Sequence, residues 1–110
     1  MWSKRPRFSI ASATLAVCVV SAHAQRVPET RGEDVLSRHC AMCHAIGRSG
    51  TSRDSKAPPL RTLGQRMPLE SLQEPLGRGL LSGHPAMPEF VFPQQDVDAI
   101  LRYLRSIQER

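Results

Sequence analysis

The chain has 110 residues, 40% hydrophobic and 23% charged, with a formal net charge of +5. That length holds a single domain, and 5% aromatic residues are too few for a base-stacking surface, so nucleic acid is not an expected partner. Three of the 15 Lys and Arg residues (Lys4, Arg5 and Arg7) crowd the N-terminus, which leaves the remainder only mildly basic.

Those three basic residues precede an apolar stretch from Phe8 to about Ser21 and then Ala22-His23-Ala24. Basic segment, apolar segment and small-residue site in that order predict a secretory signal peptide over residues 1–24 and a domain over 25–110. The apolar run is shorter than the roughly 20 residues of a spanning helix, so a membrane tether is expected only if the signal stays uncleaved. Cleavage removes Cys18 and leaves Cys40 and Cys43 as the cysteines of the mature chain. A domain this small has a marginal apolar core and usually carries a staple.

A first helix is predicted from about Gly32 to Cys40. Thr30 and Glu33 have the spacing of a capping box, and Val35, Leu36 and His39/Cys40 form its apolar face. Gly32, without a side chain, would let another helix approach closely. Residues 45–59 read as loop, closed by Pro58-Pro59. Leu60 to Met67 holds a helical turn, and Pro68 suits a helix start. Leu69, Leu72, Leu76 and Leu80 recur at helical spacing, but Pro75 interrupts them and predicts a kink or two short helices. Ser82 to Pro93 is loop again. A last helix runs from Pro93 or Gln94 to about Gln108, with Val97, Ile100, Leu101, Leu104 and Ile107 as its buried stripe. Asp96 and Asp98 near its start and Arg105 and Arg110 near its end suit the helix dipole. No strand is predicted. The fold class is all-α, with the first and last helices as the packed pair.

Cys40-Ala41-Met42-Cys43-His44 is the attachment signature of c-type haem. Cys40 and Cys43 would form thioethers to one porphyrin, and His44 would give the iron an axial nitrogen. A ligating histidine needs its second ring nitrogen held by an acceptor. The Pro58 carbonyl could do this, or Pro58-Pro59 could be a plain loop stop. A zinc or thioredoxin-like role for the cysteine pair lacks a second ligand pair and a βαβ pattern, and a disulfide would leave His44 unexplained.

The sixth ligand separates functions. A filled position carries electrons, whereas a vacant one binds small ligands or peroxide. Met87, in a loop rich in Gly and Pro, is the leading candidate. His84 is its main rival, and Met67 is expected to fill the core. Met42 lies too close to His44 to reach the opposite face, and His39 reads as a helix-face residue.

The attachment motif, Ala57-Pro58-Pro59-Leu60, the run from Gly83 to Phe90 containing Met87-Pro88, and the helix through Asp96–Leu104 occur in that order. In this the chain resembles a small bacterial class I cytochrome c across essentially the whole mature sequence. The resemblance implies a cytochrome c fold, with three to five short helices wrapped around one covalently attached haem c. It implies His44 and Met87 as axial ligands, the Pro58 carbonyl steering His44, and Tyr103 with the last helix crossing the first near Gly32. The implied function is electron transfer, not enzyme catalysis, between periplasmic or membrane-bound redox partners such as a dehydrogenase, an oxidase or a respiratory complex. The implied location is the periplasm. The alternatives are a haem subunit of such a complex, or a ligand-binding or peroxidatic haem protein if the sixth site is open. Two departures stand out. The mature part has no Trp and a single Tyr, so Arg61 or Arg66 would replace aromatic donors to the haem propionates. Lys56 is its sole lysine, so a lysine-rich face is absent.

Overall fold

The apolar stripe of the last helix and the glycine of the first dictate how the chain folds. The structure, a computed structural model, describes residues 27–79 and 86–110. Its elements are α1 (Val27–His39), 3-10 turns at Leu60–Gln65 and Leu69–Leu72, α2 (Gln73–Arg78) and α3 (Gln94–Ile107). The described residues contain no strand, and the fold is all-α, as the periodicity predicts. The signal segment and its cleavage site lie outside the described residues. Among those described, no helix is long and apolar enough to cross a membrane.

Pro93 stands at the N-cap of α3 with extended backbone, Asp96 lies in the first turn and Arg105 in the last. Val97, Ile100, Leu101, Leu104 and Ile107 are all buried, which is the stripe read from the sequence. α1 packs across this stripe through Leu36 and Gly32. A side chain at Gly32 would press on the Ala99 backbone, with its Cβ 2.8 Å from the Ala99 carbonyl carbon and 2.8 Å from Tyr103 Cβ. Arg31 secures the crossing from the edge, its Nε donating to Asp96 Oδ1 at 2.6 Å.

Two local expectations need correction. α1 spans Val27–His39, so Thr30 is inside the helix and does not cap it. Pro75, in turn, does not divide the middle segment. It is the third residue of α2, where no backbone donor is needed, and the change from 3-10 to α geometry falls at Gln73. Two short helical pieces result, as expected, but for a different reason. Leu69 and Leu76 are buried by them, and Leu80 lies outside the described residues. Gly79 closes α2 in the left-handed region, at φ 77°, with its amide on the Pro75 carbonyl at 2.9 Å. The Phe92 amide then binds the Leu76 carbonyl at 2.9 Å, which lays the segment before α3 against α2.

Candidate haem-attachment site

α1 ends at His39, yet its last carbonyls are still used. The amides of Cys40 and Ala41 both bind Leu36 O, at 2.8 and 3.1 Å. A further turn follows, with the Cys43 and His44 amides on Cys40 O at 3.2 and 2.9 Å. The attachment residues therefore sit on a hydrogen-bonded turn directly after the helix, and His44 emerges from it with its backbone fixed.

The His44 side chain is fixed as well. Its Nδ1 lies 2.7 Å from the Pro58 carbonyl oxygen. A carbonyl only accepts, so this pairing puts the ring proton on Nδ1 and leaves a lone pair on Nε2. The strap carrying Pro58 is tied back to the same turn. The Leu60 amide donates to Ala45 O at 2.9 Å, the Ala45 amide to Ser52 Oγ at 3.0 Å, and the Asp54 amide to Cys43 O at 3.2 Å. Pro59 accepts from the Thr62 amide and hydroxyl at 3.0 and 2.8 Å, so Pro58-Pro59 is the rigid entry to the 3-10 turn.

Cys40 and Cys43 are free thiols, both half-buried. Burial, reinforced by the neighbouring Cys43 thiol, pushes Cys40 up to about 11. A thiol held neutral in this way is a poor redox nucleophile. Among the described residues no three His, Cys, Asp or Glu side chains converge to hold a bare metal ion. Val35, Cys40, Ile46, Leu63, Leu72 and Phe90 pack on the core yet stay only partly buried. Two thiols, an imidazole with a free lone pair and a half-covered apolar margin fit a flat, apolar iron porphyrin.

Of the sixth-ligand candidates, Met87 is half-buried in the loop before α3, and His84 lies outside the described residues. Met67 does not fill the core as expected. It is 36% exposed, because the 3-10 turn ends before it and Pro68 leads the chain away in extended backbone. Met42 is 77% exposed on the attachment turn. His39 is an exposed helix-face residue and edges onto Phe90 and Phe92, each at 5.4 Å between ring centroids. Arg61 has other partners than a propionate. Its Nε donates to Glu109 Oε1 at 2.8 Å and its Nη1 to Gly50 O at 2.9 Å. Arg66 is exposed.

Two further residues support the site, Tyr103 through a hydrogen bond that the sequence does not show and Gln108 with no sequence signal. The Tyr103 hydroxyl donates to Ile46 O at 2.9 Å and so anchors the chain two residues past His44 from α3. Gln108, beyond the end of α3, binds three backbone groups around the strap. Only the mean side-chain length and polarity of such residues are visible in a sequence, not the distance they must span.

The family model of cytochrome c oxidase, cbb3-type, subunit III matches residues 28–104. A cytochrome c-552 of Bradyrhizobium diazoefficiens is 29% identical over 94 residues, covering 86% of this chain and 88% of that protein. No solved structure matches.

Proposed function

The chain belongs to the cytochrome c family of the cbb3-type subunit III model, whose members are haem c electron-transfer proteins, and from that premise we propose a mono-haem carrier with His44 and Met87 on the iron. The observation that supports this reading best is the 2.7 Å contact between His44 Nδ1 and the Pro58 carbonyl. It presents Nε2 as a donor in the position that the attachment motif requires.

Each residue then has one task. Cys40 and Cys43 hold the ring covalently. His44 donates through Nε2, and the Pro58 carbonyl fixes its tautomer and raises its basicity. The Met87 thioether, a soft donor, favours the ferrous state and raises the potential relative to a second nitrogen. Haem c, when bound, supplies the one-electron ferric/ferrous chemistry. The apolar margin around Leu63, Leu72 and Phe90 excludes water from the ring faces. No group need donate or accept a proton during transfer, so the protein acts as a carrier and not as a bond-making enzyme.

Residues 1–24 direct export, and residues 25–110 work in the periplasm with partners in respiratory complexes. Potentiometric titration of the purified ferric protein, followed by its thioether-to-iron charge-transfer band, tests the reading. A reversible one-electron wave with the band present supports it. An absent band at neutral pH, with ready carbon monoxide binding to the ferrous protein, replaces the carrier by a ligand-binding haem protein. The family description names an oxidase subunit, which favours a second reading, a haem subunit docked permanently in a complex. Size-exclusion of the native, unfractionated assembly separates the two.

A further inference from the structure

Gln108 is not part of any motif, yet its side chain uses all of its hydrogen-bonding groups that face the protein. Its Nε2 donates to Leu60 O at 3.0 Å and to Leu104 O at 2.8 Å, and its Oε1 accepts from the Gly64 amide at 2.7 Å. The backbone of α3 thereby connects to both ends of the 3-10 turn that follows Pro58-Pro59. The next residue doubles the link: the Glu109 amide donates to Arg61 O at 2.9 Å, and the Glu109 carboxylate accepts from Arg61 Nε at 2.8 Å. On the other side of the same peptide stretch, the Leu60 amide holds Ala45 O, one residue from His44. Leu60 is thus clamped through its N–H to the histidine turn and through its C=O to Gln108, with Pro58 two residues away.

We infer that Gln108 is a positioning residue for the proximal histidine: it holds the Leu60 strap so that the Pro58 carbonyl stays at hydrogen-bond distance from His44 Nδ1. This rests on the reading of His44 as an iron ligand. A carbonyl held against Nδ1–H pushes electron density onto the imidazole and favours the ferric state. Releasing the strap weakens that push and raises the potential. The sign is opposite to that of losing the Met87 thioether, which lowers it.

The test is Gln108→Met, which keeps the length of the side chain and removes its three hydrogen bonds, with Gln108→Glu as a second variant that keeps only an acceptor. Asp96→Asn, at the other end of α3, serves as the control for general loosening. Two quantities are read on the holoprotein. The first is the midpoint potential. The second is the solvent-exchange rate of the His44 ring N–H in the ferrous protein by nitrogen-edited NMR. The expected result for Gln108→Met is a potential raised by about threefold in the ferrous-to-ferric ratio, ~28 mV at 59 mV per decade for one electron, with faster ring N–H exchange; Gln108→Glu, whose added negative charge itself favours the ferric state, is read by faster ring N–H exchange alone. Asp96→Asn should lower the melting temperature and leave both readings unchanged. A Gln108 variant that melts lower while potential and exchange stay at wild-type values overturns the inference and leaves Gln108 a plain staple. Should Gln108→Met not mature, the ring N–H exchange of Gln108→Glu decides. The His44 reading is judged separately: in the unaltered ferrous protein its ring resonances must show the large upfield shift of a group held against a porphyrin face. Their absence removes the ligand assignment itself.

Discussion

Replacing Gly32 by Ala probes the helix crossing that carries the fold. In an isolated helix this change would help, by about 1 kcal/mol of intrinsic propensity. Here the new methyl would sit 2.8 Å from the Ala99 carbonyl carbon and from Tyr103 Cβ, with the Ala99 oxygen closer still. These are backbone and Cβ atoms that no rotamer change can move, so α1 and α3 must separate. Overpacking of this kind costs about 1–3 kcal/mol, and separation also uncovers the Leu36 contact, so the packing cost exceeds the propensity gain. A net loss of about 1 kcal/mol lowers the melting temperature of a domain this size by roughly 4–8 °C. Circular dichroism melts of the ferric holoprotein, followed at the helix band, measure it. Gly32→Ser should fall at least as far, since it adds a hydroxyl to the same contact. A melting temperature for Gly32→Ala equal to or above that of the unaltered protein would refute the close crossing and the reasoning built on it.

Other outcomes are expected from the same contacts. Met87→Ala should lower the reduction potential and let carbon monoxide bind the ferrous protein; unchanged spectra and potential would move the assignment to His84 or Met67. Joint replacement of Cys40 and Cys43 by Ala should abolish the cooperative thermal transition, because the remaining core is too small to stand alone; a sharp melt would refute this. Tyr103→Phe should cost about 1 kcal/mol by stripping the Ile46 carbonyl of its donor, measured by denaturant titration. Tyr103 also sets an alkaline limit. Burial, with the nearby Glu33 carboxylate, raises its phenol above the ordinary value of 10.0. The fold therefore favours the neutral phenol, and its contribution is complete below pH 10 and is lost as the pH rises through the higher folded value. Stability measured from pH 9 to 12 should fall less steeply in Tyr103→Phe.

The sequence is explicit wherever a local rule acts alone. Five consecutive residues carry the attachment signature of c-type haem, and α3 shows its buried face because a 3.6-residue period needs no tertiary information. It misleads where two local signals compete. Thr30 and Glu33 imitate a cap, although the chain is already helical from Val27. Pro75 looks like a breaker because its position in the first turn of α2 depends on where the preceding 3-10 turn ends. Met67 looks like core because Leu60 and Leu63 precede it in a helical phase that Pro68 then stops. Gln108 is silent, and Arg61 suggests the wrong partner, for a different reason. Each acts across more than forty residues of chain, and nothing in their immediate neighbours encodes the partner.

Among the described residues the largest contact joins α1 to α3, and the groups that steady Pro58 sit at positions 108 and 109. A chain cut short of position 108 would keep its thiols and its histidine but lose the last residues that brace Pro58. Trimming the C-terminus would therefore loosen a site that lies far away in sequence.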